Sequence, residues 1–197
     1  MKTKMLAPIA ILAVFIAVVL LFPDSQKTPE GVADISALQT GDMSNLSVHE
    51  TPFKPMTTVF NGPDGAEMTV ADFKGKLVVM NFWATWCAPC REEMPSIDRL
   101  AGELAGDDIA VVAVSTDRGD AGRITDFFDE ISIEHLEVHR DRESALAREA
   151  GAFGLPMTII IDKDGHEIAR LLGGAEWDSA EAKAIIRKLA GAAEQSS

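Results

Sequence analysis

The chain has 197 residues, enough for one domain of ordinary size plus accessory segments, and 47% apolar with 25% charged residues excludes a disordered or collagen-like polypeptide. With 31 acidic against 18 basic residues the formal charge is −13, which argues against a nucleic-acid partner, since that binding comes mainly from neutralising phosphates. Two cysteines are too few for a disulfide-dense scaffold or a four-cysteine zinc site.

Met1-Lys2-Thr3-Lys4 is a short positive start, and Leu6 to Phe22 follows without a charge, with Pro8 its one breaker. As a helix this run reaches about 25 Å, at the short end of a membrane span. It is longer than a typical signal-peptide core, and Val18 to Pro23 offers no small-x-small cleavage site. Residues 1–22 are therefore expected to be an uncleaved signal anchor, with a cleaved signal peptide as the alternative. Lys2 and Lys4 would stay in the cytoplasm. The rest of the chain would then lie in the periplasm, tethered to the inner membrane by a single pass. No cysteine directly follows the apolar run, so a lipoprotein anchor is excluded. Residues 23–50 are polar with scattered apolar positions and read as a linker, with a short helical stretch around Val32 to Leu38.

A regular pattern begins near Pro55. Met56 to Phe60 and Ala66 to Thr69 flank Asn61-Gly62-Pro63-Asp64-Gly65, whose turn formers predict a hairpin. Leu77 to Trp83 is an apolar run with one amide, as in a strand buried on both faces. Helical spacing runs from Pro95 through Ile97 and Leu100 to Leu104. Ile109 to Ser115 is a second buried strand, and Ala121 to Ile131 is helical. His135 to His139 fits a short strand and Arg142 to Ala150 a helix. Met157 to Asp162 is a third apolar strand, turning at Lys163-Asp164-Gly165 into Glu167 to Leu172. Asp178 to Ala193 is an amphipathic helix capped by Asp178 or Ser179. Alternation in the middle predicts parallel pairing, and the terminal hairpin an antiparallel edge. The expectation is one α/β layered domain over residues 51–193, followed by a flexible tail at 194–197.

The chemistry concentrates in Trp86-Cys87-Ala88-Pro89-Cys90, directly after a buried strand and before a helical pattern. With Cys87 at a helix start, free backbone N–H groups and the helix dipole favour its thiolate. Two intervening residues make one turn, which brings Cys90 against Cys87 as the more buried partner. Such a pair supports two-step exchange. Cys87 attacks a foreign disulfide, and Cys90 resolves the mixed disulfide. A zinc half-site is the competing reading. It would need His135 and His139, which on a strand stand about 13 Å apart and cannot share an ion. A structural disulfide closing so short a loop would add little stability.

Asn81 to Cys90, followed by Glu93-Met94-Pro95, resembles the active site of membrane-anchored thioredoxin-like proteins of the TlpA, ResA and CcmG group. Gly154-Leu155-Pro156-Met157-Thr158 resembles that family's cis-proline segment, and Gly173 to Asp178 resembles the TlpA branch most. The resemblance spans about residues 50–190. It implies a thioredoxin-like α/β fold, a central mixed sheet flanked by helices. An amino-terminal hairpin and an inserted helix–strand element, from about Asp117 to Arg140, would complete it.

The same resemblance implies site roles. Cys87 would be nucleophile, Cys90 the resolving thiol, and Pro156 a cis-proline against the pair. Trp86, Ala88, Pro89 and Leu155 would meet the partner. Ordinary thioredoxins carry a buried Asp where this chain has Asn81. Glu93, one turn beyond Cys90, resembles an acidic residue of the ResA type and stands as a candidate proton acceptor. A solvated first-turn Glu favouring the helix dipole is the alternative. Trp83 and Trp177 read as core, though Trp177 stands close enough to the last helix to leave its role open. The implied activity is reduction of protein cysteine pairs, with no cofactor beyond the redox pair and no metal. Electrons would come from a membrane thiol-electron transporter, and the substrates would be copper-site assembly proteins of cytochrome oxidase or apocytochrome c. A copper-binding chaperone on the same fold is the second reading. Proteins of that kind carry C-x-x-x-C with a distant His, whereas here two residues separate the cysteines. Peroxide reduction on this fold would call for Thr where Ala84 stands.

Overall fold

The computed structural model describes residues 33–192. The expected anchor over 1–22, the first part of the linker and the tail at 194–197 lie outside the described residues. Among the described residues no helix is long and apolar enough to cross a membrane.

The apolar runs become the centre of the sheet. Strand β4 (Leu77–Trp83) is buried at every position. It pairs in parallel with β5 (Ile109–Ser115), Leu77 opposite Ile109 and Trp83 opposite Ser115. On its other side it pairs antiparallel with β7 (Met157–Ile161), which continues antiparallel into β8 (Glu167–Leu172). A continuous apolar strand must be covered on both faces, and here two core clusters do so. One holds Trp83, Met94, Ile97, Leu100, Trp177 and Ile185, under helices α1 (Ala88–Leu104) and α4 (Ala180–Ala192). The other holds Met80, Phe82, Val114, Leu146 and Ile159, under α3 (Ala145–Glu149).

The predicted hairpin is present with short strands, β2 (Phe60–Asn61) and β3 (Glu67–Met68), joined by a 3-10 turn at Pro63–Gly65. Asp64 takes positive φ there, the conformation for which Asp and Gly are suited. The inserted element is α2 (Gly122–Glu130) and β6 (His139–Arg140). Strand β6 runs parallel beside β5 and joins the hairpin to the sheet through Asn61 opposite Arg140. With a first strand, β1 (Ser47–Val48), at one edge, the order is β1-β8-β7-β4-β5-β6-β2-β3. The predicted strand from His135 shrinks to its last residue because the carboxylate of Asp98 on α1 accepts the backbone N–H groups of Glu134, His135 and Leu136. Those donors are then spent on a helix side chain.

The linker expected over residues 23–50 needs correction in its described part. Residues 33–48 fold onto the domain as 3-10 turns at Ala33–Leu38 and Gly41–Asn45, then strand β1 (Ser47–Val48), which pairs antiparallel with β8. Ile35, Met43 and Leu46 are buried in the α4 cluster. The scattered apolar residues are thus anchoring points, and the packed body extends well ahead of residue 51.

Candidate active site

Strand β4 delivers the chain to the site. After Trp83 it turns through Ala84-Thr85-Trp86, and the Cys87 N–H donates to the Ala84 carbonyl at 3.1 Å. Parallel pairing places Ser115 beside Trp83, so the residue two beyond it, Asp117, comes under the turn. Its buried carboxylate accepts the Thr85 N–H at 2.8 Å, the Thr85 hydroxyl at 2.9 Å and the Ser115 hydroxyl at 2.8 Å. Nothing in the motif spacing pointed to Asp117. Its signal is only that it follows a buried strand ending level with the cysteine loop.

Cys87 is the N-cap of α1, in extended conformation, and its sulfur accepts the Cys90 N–H at 3.3 Å. An N–H directed at that sulfur, with the helix dipole behind it, favours the thiolate of the reduced form. Pro89 falls in the first turn, where its missing N–H leaves no helical bond unmade. The helix begins at Ala88, earlier than the apolar spacing from Pro95 suggested, and Pro95 lies inside it. Cys87 and Cys90 form a disulfide with Cα atoms 5.3 Å apart. Cys90 is fully buried and Cys87 is 6% exposed.

Cys87 opens on a groove of about 540 Å3, lined among others by Trp86, Pro89, Phe153, Gly154 and Leu155. Trp86 is 70% and Phe153 90% exposed, both large apolar surfaces left to solvent. Ala88 and Pro89 are exposed on the helix tip, and Leu155 is half-buried. The Leu155–Pro156 bond is cis. The Pro156 carbonyl accepts the Gly173 N–H at 2.9 Å, fixing the bend against the end of β8. Phe153 was missed in the sequence because an aromatic beside two glycines carries no periodic signal.

On the inner side of the pair lies Glu93. The solvated alternative does not hold, for Glu93 is buried. Its Oε1 accepts from the Asn81 amide at 2.8 Å and its Oε2 from the Ala175 N–H at 3.1 Å. The same Asn81 amide nitrogen donates to the Thr158 hydroxyl at 2.9 Å, while its oxygen, Oδ1, has no partner. Burial pushes the Glu93 carboxyl up to about 7, against the lowering effect of the Asn81 and Ala175 bonds. The Trp177 indole N–H faces the carboxylate and lowers it slightly without closing a hydrogen bond of ordinary geometry. Glu93 nonetheless lines a surface pocket of about 350 Å3 with Asp42, Pro89, Glu92, Gly174, Ala175 and Glu176.

Trp83 and Trp177 are both fully buried, which agrees with the core reading of each. His139 sits in the core beside Phe60, with ring centroids 6.1 Å apart, while the His135 ring lies over Gly102 on α1. Among the described residues no group of three or more His, Cys, Asp or Glu is arranged to hold a metal ion.

Comparison with known proteins places this geometry. The family model described as AhpC/TSA family matches residues 53–169. The thiol-disulfide oxidoreductase ResA of Bacillus thuringiensis subsp. konkukian is 32% identical over 110 residues, covering 56% of this chain and 62% of that protein. The thiol:disulfide interchange protein DsbE of Pseudomonas aeruginosa is 31% identical over 113 residues, covering 56% and 60%. This chain thus spans about three fifths of the length of the curated relatives it matches. The crystal structure of the exposed lipoprotein thioredoxin Etrx1 of Streptococcus pneumoniae aligns with a TM-score of 0.55 at 28% identity, over 66% of this chain and 98% of that one. The fold is thioredoxin-like, a mixed sheet flanked by helices, as the resemblance implied.

Proposed function

Because this chain belongs to the AhpC/TSA family of thioredoxin-like proteins, we propose that it is a thiol:disulfide oxidoreductase acting as a reductant of cysteine pairs in partner proteins. The observation that carries this reading is a disulfide whose outer sulfur, on Cys87, opens into a groove while Cys90 is sealed behind it. The relatives named thiol-disulfide oxidoreductase and thiol:disulfide interchange protein support it.

In the reduced domain the Cys87 thiolate attacks one sulfur of the partner's disulfide. A Cys87–partner disulfide forms, and the partner's other sulfur leaves as a thiolate. Cys90 gives its proton to Glu93 and attacks the Cys87 sulfur. The Cys87–Cys90 bond forms and the partner's second sulfur is released. The partner gains two electrons and the domain is left oxidised. Glu93 is suited to accept that proton because its carboxyl, raised to about 7, is close to balanced near neutral pH. Trp86, Ala88, Pro89, Phe153 and Leu155 supply the landing surface, and an extended partner segment lies against the bend at cis Pro156.

The finer reading follows the resemblance of Gly173 to Asp178 to the TlpA branch. The domain is held in the periplasm by a membrane anchor at residues 1–22 and recharged by a membrane thiol-electron transporter. Its substrates are copper-site assembly proteins of cytochrome oxidase, with apocytochrome c as the related possibility. No cofactor beyond the redox pair takes part.

The test is turnover of purified, reduced full-length chain with two oxidised peptides, one copying a copper-site cysteine pair and one an apocytochrome haem-attachment pair. Stoichiometric reduction that vanishes in Cys87→Ser supports the reading. Reduction of neither peptide, with both cysteines shown to be free beforehand, contradicts it.

A further inference from the structure

The short segment Ala175-Glu176-Trp177 has an unusual set of partners. Each of its consecutive backbone N–H groups is accepted by a different side chain. The Ala175 N–H goes to Glu93 Oε2 at 3.1 Å, the Glu176 N–H to Asp42 Oδ2 at 3.0 Å and the Trp177 N–H to Ser96 Oγ at 3.0 Å. Asp42 stands on the 3-10 turn Gly41–Asn45 ahead of the sheet, and Ser96 is buried on α1, one turn past Glu93. The Ser96 hydroxyl donates to the Glu93 carbonyl at 2.7 Å, so one hydroxyl joins the helix turn bearing Glu93 to this segment. The segment also passes close over the site. A Cβ on Gly174 would come within 3.6 Å of the Pro89 carbonyl oxygen and 3.8 Å of Glu93 Oε2.

We infer that Asp42 and Ser96 are positioning residues for Glu93, holding the 175–177 segment so that the Ala175 N–H stays on the carboxylate. Neither touches the cysteines. Asp42 grips the segment from the solvent side and Ser96 from the core side. The inference deepens the proposed function and rests on it for the role of Glu93 as proton acceptor.

A hydrogen bond to a carboxylate favours its charged form. Losing the Ala175 donor therefore raises the Glu93 midpoint further. The other charged groups facing this carboxylate are Glu92 from α1, Asp42 from the 3-10 turn and Glu176, which lies 3.9 Å from Arg99, from the segment itself. Strands β4 and β7 present only Asn81 and Thr158. Removing the Asp42 charge alone would lower the Glu93 midpoint slightly, the opposite direction from loosening the segment.

The test titrates the Glu93 side-chain carboxyl by carbon NMR in the oxidised full-length chain, for the natural protein and for Asp42→Ala, Asp42→Asn and Ser96→Ala. Asn at position 42 keeps an oxygen acceptor and loses the charge. Both Ala variants should raise the midpoint by about 0.5 pH unit or more, a fraction of what a full charge-assisted bond is worth, with Asp42→Asn at or below the natural value. An unchanged midpoint in Asp42→Ala, or equal shifts in Asp42→Ala and Asp42→Asn, overturns the inference for Asp42. An unchanged midpoint in folded Ser96→Ala overturns it for Ser96. Should Ser96→Ala fail to fold, the surface pair at position 42 decides the matter. The titration uses no partner disulfide, so a protein without reductase activity would sink the proposed function and leave this result readable.

Discussion

Replacing Glu93 by Gln should change how the stability of the protein depends on pH. Folding lifts this carboxyl from 4.5 to about 7, so over that window the folded state binds a proton that the unfolded chain releases. The stability tied to that proton is fully present below the unfolded value and is lost as pH rises through the folded one. Above it the buried carboxylate is ionised at a cost. Integrating the two titrations gives about 2–3 kcal/mol lost between pH 5 and pH 8 from this group alone. In Glu93→Gln nothing titrates at this position. The variant also loses part of the hydrogen bonding to Asn81 and Ala175, but that loss is the same at every pH. All other groups titrate alike in both proteins and cancel. Urea unfolding of both oxidised proteins at the two pH values reads the effect directly. The stability of the natural protein minus that of the variant should fall by about 2–3 kcal/mol on going to pH 8. A difference constant within about 0.5 kcal/mol would mean that Glu93 titrates like an exposed carboxylate, and the reasoning from its burial would fail.

Asp117→Ala leaves three donors around the cysteine turn without their acceptor. It should cost about 3 kcal/mol in urea unfolding, and a loss below about 1 kcal/mol would contradict the tie between β5 and that turn. Met43→Ala should destabilise the domain by about 2–4 kcal/mol, because residues 33–48 are part of its core. A free linker would show no change in the same unfolding experiment. Trp86→Ala and Phe153→Ala should each leave stability within about 0.5 kcal/mol. Each should also raise KM for an oxidised protein substrate several-fold with kcat nearly unchanged, and a fall in kcat alone would show that these side chains do not act by binding.

The three central strands were legible in the sequence because burial on both faces writes itself as unbroken apolar runs. The cysteine pair was legible because a two-residue gap at a strand-to-helix junction has few other uses. Pro156 was found through family resemblance, since a strand-initial proline looks the same in cis and trans. Ile35, Met43 and Leu46 were hidden because each is a lone apolar residue in a polar stretch, and 3-10 turns impose no periodicity to join them. Asp98 remade the stretch predicted as strand at His135 by accepting backbone donors from 36 or more residues away in sequence. The environment of Glu93 was equally hidden. Its partners Asn81 and Ala175, and Asp42, which holds the N–H of the next residue, Glu176, come together only when β4, the segment after β8 and the amino-terminal turns have all docked. Local sequence can place a carboxylate on a helix face, but whether that face meets water is decided by what packs over it.

The most direct test of the central claim is mass spectrometry of the mixed disulfide formed when reduced Cys90→Ser protein meets an oxidised partner with one disulfide. A trapped adduct linked through Cys87, at near one partner per chain, is the expected result. No adduct, with Cys87 still free and alkylatable, would contradict the assignment of Cys87 as the sulfur that attacks.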